Sequence, residues 1–266
     1  MAIFQRGTPL DAEQAKLDRK EARFLAKRRQ SKESPLNQLL DDKVPDKLRD
    51  TLDAAFVKAF NLIFSKGSPV IDKTYNADKA RREYQVNSLM ADDDASKRNL
   101  RQFSRQANGS ARVNTVASTA AGVGLGVLGI GIPDIALLVG TMLRSIHQIA
   151  LQYGYEHDND AERYFILLLI EGSVAHGEHL DEIDADANAF IHYHALPDGY
   201  DASEQIRGAA SALSDEMLYM KFLQGIPIVG AVGGAFNAIS MHNLTAYANL
   251  KYHKRFLIGR RAEQLA

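Results

Sequence analysis

Between Gly122 and Gly131 five glycines interrupt a largely apolar run, VASTAAGVGLGVLGIGIPDIALLVG, that extends from Val116 to Gly140. A glycine inside a helix costs about 1 kcal/mol relative to alanine, because the unfolded chain has more freedom to lose. A helix that keeps five must recover that loss through close approach of its neighbours. On a helical wheel Gly122, Gly126 and Gly129 share one face, and Gly124 and Gly131 share the opposite one. Beyond them the chain reads as a Pro133-Asp134 restart, a second helix ending at Tyr153-Gly154-Tyr155 and a third apolar helix up to Ile170. The fold class this implies is all-α: a compact multi-helix bundle with buried glycine-rich helices. Gly122, Gly126, Gly129, Pro133, Asp134, Gly230 and Gly234 are the expected helix-packing positions.

The same small-residue spacing serves transmembrane helices and water-soluble bundles alike. Val116 to Ile132 has 17 residues without a charge, about 25 Å as a helix against about 30 Å of bilayer hydrocarbon. Its successor carries Asp134, Arg144 and His147, and a mid-helix arginine costs about 2.5 to 3.5 kcal/mol on insertion scales. Phe222 to Met241 is uncharged over 20 residues and long enough to span, but Gln224, Pro227 and Asn237 weigh against it. The mean hydropathy of the chain is −0.25.

Composition narrows the function. A chain of 266 residues buries about 70 to 75 % of its unfolded surface and supports a core without staples. Cysteine is absent, which removes disulfides and thiolate chemistry. A net charge of −1 provides no overall attraction to nucleic acid, so no nucleic-acid partner is expected. No apolar signal core opens the sequence. Residues 1–35 hold nine Lys/Arg against five Asp/Glu, with Leu10, Leu17 and Phe24 as a thin apolar stripe. They are expected to be a solvated, partly disordered extension ahead of a single helical domain, 36–266.

Periodicity places further helices at Pro45 to Lys66, Lys73 to Met90, Asp94 to Asn108 and Ser203 to Met220. Asp92, Asp93 and Asp94 are expected at a helix start, where acids complement the dipole. Asn159 with Glu162 three residues on forms a capping pattern, so a helix is expected from Asp160. Gly131-Ile132-Pro133 recurs as Gly225-Ile226-Pro227, and at the same offset Gly140 matches Gly234 and Tyr153 matches Tyr247. A packed pair of related helices and a chance coincidence both account for this echo.

One stretch offers metal ligands. If the chain is helical through Gly177, His176, His179, Glu182 and Asp186 fall on one side of a helix, and imidazole with carboxylate suits zinc or iron. The tight His-Glu-x-x-His spacing is absent, as are phosphate-loop, nucleophile-elbow and dinucleotide fingerprints. No cofactor is therefore expected.

The glycine-rich run followed by PDIALLVGTMLRSIHQIALQYGYEHDNDAERYFILLLI, the late segment IPIVGAVGGAFNAISMHNLTAYANLKYHKRFL and the short KGSPVIDKTY together resemble the EcsC family of bacterial proteins. The resemblance implies an association with an Ecs-type ABC transporter and supplies no catalytic residues. The leading reading is a non-catalytic helical interaction or accessory protein linked to transport or secretion. It would be cytoplasmic and peripheral at the inner face of the cell membrane, with a membrane protein or the membrane surface as partner. Two other readings stand beside it. One is a metal-dependent hydrolase built on His176, His179 and Glu182, with Asp134, Arg144 or His147 elsewhere. The other is an integral membrane protein with glycine-rich spans.

Overall fold

The structure is a computed structural model and describes residues 8–29, 44–66, 71–109, 132–223 and 234–265. Within them the regular structure is helical, in nine long helices. They are α1 (Pro9–Arg29), α2 (Asp46–Lys66), α3 (Ala77–Asp93), α4 (97–109), α5 (Ile132–Gln152), α6 (Asp160–Val174), α7 (Gly177–Tyr193), α8 (Ala202–Leu223) and α9 (Gly234–Leu265). The all-α expectation holds. Gly122, Gly126, Gly129 and Gly230 lie outside the described residues, Pro133 and Asp134 sit in the first turn of α5, and Gly234 opens α9.

The centre of the molecule is α6, which α5, α7, α8 and α9 all contact. Its sequence demands this position, since Phe165 to Ile170 is apolar around the whole circumference and every one of those side chains is buried. The Asn159 side chain accepts from Glu162 N at 2.8 Å and starts the helix where the capping pattern predicts. A glutamate near each end meets partners. Glu162 takes Tyr252 OH at 2.6 Å and Arg255 Nη1 at 2.7 Å, and Glu171 lies 3.0 Å from His179 Nε2. Gly172 allows the closest crossing, because a Cβ there would lie 2.6 Å from the Tyr247 ring of α9.

The N-terminal helix differs from its expectation as a solvated arm. Thr8 and Asp11 cap it reciprocally, with Asp11 N donating to Thr8 Oγ1 at 3.1 Å and Thr8 N to Asp11 Oδ2 at 2.9 Å. Leu10, Leu17 and Leu25 are buried, and α1 lies against α7 and α9. Phe24 stacks on Tyr247 with ring centroids 5.3 Å apart. Despite the excess of charge, three well-spaced leucines suffice to seat a helix whose polar face is itself paired: Glu13 with Arg101, Asp11 with Arg261.

Two further details amend the sequence reading. Asp92 and Asp93 end α3 and Asp94 caps it, so the three acids stand just ahead of α4 as expected but also occupy the unfavourable negative pole of α3. Arg260 of α9 pairs with Asp92 and offsets the placement. The helix is also not continuous through Gly177, where φ is +59° and the chain turns from α6 into α7.

Among the described residues one helix segment, Ile135–Gln152, has the length and hydropathy of a membrane span, and 67 % of it is buried inside the protein.

Candidate metal centre

That break at residue 177 decides what becomes of the four residues singled out from spacing. His176 precedes α7, with Nε2 at 3.3 Å from Glu216 Oε2 and 3.3 Å from Arg28 Nη2. His179 meets Glu171 through Nε2 at 3.0 Å and Glu182 through Nδ1 at 3.6 Å. The two carboxylates thus flank opposite edges of one imidazole and do not converge on a shared nitrogen. The hydrogen bond to Glu171 raises the His179 pKa, and burial followed by the charges of Glu171 and Glu182 raises that of Asp186.

A different trio converges. Asp72, His147 and His157 each present one ligand atom, and the three atoms lie within 4.8 Å of one another. His157 Nε2 is 3.3 Å and His147 Nδ1 is 3.7 Å from Asp72 Oδ1. Both imidazoles are buried, and their rings stack nearly parallel with centroids 3.8 Å apart. Zinc bonds of about 2.0 to 2.1 Å in tetrahedral geometry place neighbouring ligand atoms about 3.3 Å apart. The observed spacings approach that edge and exceed the usual length of a charge-assisted hydrogen bond, about 2.7 to 2.9 Å. Neither Nδ1 has a hydrogen-bond partner among the described residues.

Each ligand is delivered by a different kind of local structure. Asp72 ends a helical segment, 71–72 among the described residues, just before a turn closed by Ile71, whose side chain is buried and whose carbonyl accepts from Thr74 N at 2.8 Å and Thr74 Oγ1 at 2.6 Å. His147 projects from the buried face of α5 beside Ile146 and Ala150. His157 lies in the connection to α6, aimed by the way α5 ends. Tyr155 N donates to Ala150 O at 3.0 Å and Gly154 N to Leu151 O at 3.1 Å, with Gly154 at φ +84°. This is the paired bonding of a Schellman cap, and its left-handed position is the reason for a glycine there. Arg144, one turn before His147, is half-buried on α5.

The electrostatics suit a cation. Burial alone would raise the Asp72 carboxyl, but the nearby His147 imidazole, the hydrogen bond from Tyr75 and the charge of His157 outweigh it and hold the pKa below the ordinary value. Burial, then the proximity of His147, pushes His157 down to about 4. An ionised carboxylate and a neutral imidazole are the forms that ligate. Tyr75 OH donates to Asp72 Oδ1 at 2.7 Å and lies 3.4 Å from His157 Nε2; burial and then the bond to Asp72 push its pKa up. Asp72 and Tyr75 line an open groove with Lys73, Thr74, Asn76 and Arg81.

A sequence model of the EcsC protein family matches residues 12–257. The chain belongs to the EcsC family. The match takes in α1 from its second turn, in keeping with the packing of that helix. Among curated proteins, the "Uncharacterized protein YdbA" of Bacillus subtilis (strain 168) is 27 % identical over 168 residues. The alignment covers 59 % of this chain and 59 % of that relative's length. No solved structure matches.

Sequence reasoning named His147 but neither Asp72 nor His157, since no motif joins positions so far apart in the chain. The available signal was their location. Asp72 lies in KGSPVIDKTY, and His147 and His157 lie in the long segment after Pro133 that carries the family resemblance.

Proposed function

We propose that this EcsC-family chain binds a divalent transition metal at Asp72, His147 and His157, and that metal-assisted hydrolysis is the reaction class the centre serves. The spacing of the three ligand atoms, 3.3 and 3.7 Å about Asp72 Oδ1, carries the reading. Two histidines and one carboxylate form the donor set of zinc hydrolases and of non-haem iron(II) sites. Three protein ligands leave a coordination position for water, and the groove beside Asp72 gives a substrate access to it. Metal analysis after loading with zinc, iron(II) or manganese and dialysis tests the reading. About one equivalent of one metal is expected, lost in Asp72→Asn. Absence of retained metal overturns it. Hydrolysis of p-nitrophenyl esters and phosphoesters, compared with Asp72→Asn, tests the reaction class.

One observation favours the accessory role expected from the family resemblance. Val86, Leu89 and Met90 form a ridge on α3 at spacing i, i+3, i+4 and are 56, 69 and 52 % exposed. Such a ridge suits peripheral attachment at the inner face of the cell membrane, to the bilayer surface or to a transport protein in it. Co-sedimentation with lipid vesicles is expected for the wild type and not for a variant with serine at all three positions. Equal behaviour of the two proteins overturns this role for the ridge.

A further inference from the structure

The turn that carries His157 is held from outside by α3. Arg81 donates through Nε and Nη2 to the two carboxylate oxygens of Glu156, each at 2.8 Å, and Glu156 is the residue next to His157. One turn further along α3 the Tyr84 ring closes over Gly154, so tightly that a Cβ on Gly154 would lie 2.2 Å from Tyr84 Cζ. Two contacts from one helix therefore grip the turn on either side of Tyr155. The Arg81 pair is exposed, 37 and 63 % for the two side chains, and an ion pair so placed adds little to global stability. It is nonetheless bidentate, the geometry that fixes orientation as well as distance. His157 Nδ1 has no hydrogen-bond partner of its own among the described residues. Metal-binding histidines are ordinarily oriented by a hydrogen bond from the second ring nitrogen. Here the backbone of the turn must do that work instead.

We infer that Arg81, acting through Glu156, is a positioning residue for the metal ligand His157, with Tyr84 on Gly154 as the second point of the clamp. The inference rests on the metal-centre reading above. Loss of an outer-shell contact typically weakens metal affinity 10- to 100-fold. The same loss is expected for Arg81→Ala and for Glu156→Gln. The double variant should fall no further than either single one, because both remove one clamp. Arg81→Lys, which retains the charge but not the fork, should not restore affinity.

The test is titration of the full chain with cobalt(II) and with zinc, read by the cobalt ligand-field absorption and by competition. Circular dichroism confirms that the exposed substitutions leave the helices intact. An unchanged dissociation constant and unchanged cobalt spectrum in both single variants, when the wild type binds, overturn the positioning role and leave the metal centre standing. Failure of the wild type to bind either metal overturns the centre itself. Additive losses in the double variant show that the two residues act separately and overturn the clamp.

Discussion

Two buried polar clusters in this chain are built to opposite rules. Around Lys251, on the α1–α7–α9 side of the bundle, every charge has its complement. Lys251 Nζ lies 2.5 Å from Glu21 Oε1, 2.7 Å from Asp184 Oδ1 and 2.9 Å from Asn188 Oδ1, with none of the side chain exposed. Lys254 reaches Glu21 Oε2 at 3.0 Å, Asn188 donates to Asp184 Oδ2 at 2.9 Å, and Tyr247 donates to Asp184 Oδ1 at 2.8 Å. Two cations balance two carboxylates. At Asp72, His147 and His157 the balance fails: one carboxylate faces two imidazoles at distances too long for good hydrogen bonds, and two ring nitrogens have no hydrogen-bond partner among the described residues. A saturated network holds helices together, whereas an unsaturated one with converging acceptors is arranged for a cation supplied from outside.

The contrast breaks most directly at its saturated end. Lys251→Met should leave Glu21 and Asp184 buried with their main cation gone, at a cost of about 3 to 5 kcal/mol in urea unfolding at pH 7. A loss under about 1 kcal/mol would mean that the network is not the tie described.

His253 sharpens the comparison, since among the described residues it is a buried imidazole whose Nε2 has no hydrogen-bond partner but which lies outside any converging ligand set. Burial holds its pKa at about 4, against the ordinary 6.5, with Glu13 raising it and Lys20 and Lys16 lowering it. Because the folded value is the lower one, stability is complete above pH 6.5 and falls as pH drops towards 4, by about 3 kcal/mol. Comparing the wild type with His253→Leu between pH 7 and pH 4 isolates that share. Identical pH profiles would remove it.

At the unsaturated end, zinc at a hundred times its dissociation constant should stabilise the wild type by about 2.7 kcal/mol. Thermal unfolding should show no such gain for Asp72→Asn. The smallest effect belongs to Asp72→Asn without metal. Despite burial, the neighbouring imidazoles and Tyr75 depress the Asp72 pKa, so its ionised form contributes stability that is present at neutral pH and lost as pH falls through the folded value. A large loss there would make the cluster an internal tie like the one at Lys251.

How far the fold was legible depends on the range of each signal. Asn159 and Glu162 announced α6, the apolar circumference of Phe165 to Ile170 announced its central place, and Tyr153-Gly154 announced the end of α5. Each is a message between residues within one or two turns. The seating of α1 was missed because Leu25 and Glu21 acquire meaning only against α9. His176 and His179 looked like partners only while the helix was assumed to run through Gly177.

The sequence by itself determined an all-helical chain, its caps and its most buried helix, because helix periodicity and end chemistry are local and repeat every few residues. Only the tertiary structure decided which polar groups meet. Asp72 comes from the end of a helical segment, His147 from a helix face and His157 from a capped connection. Their convergence is a consequence of helix packing, which leaves no spacing in the sequence from which it could be read.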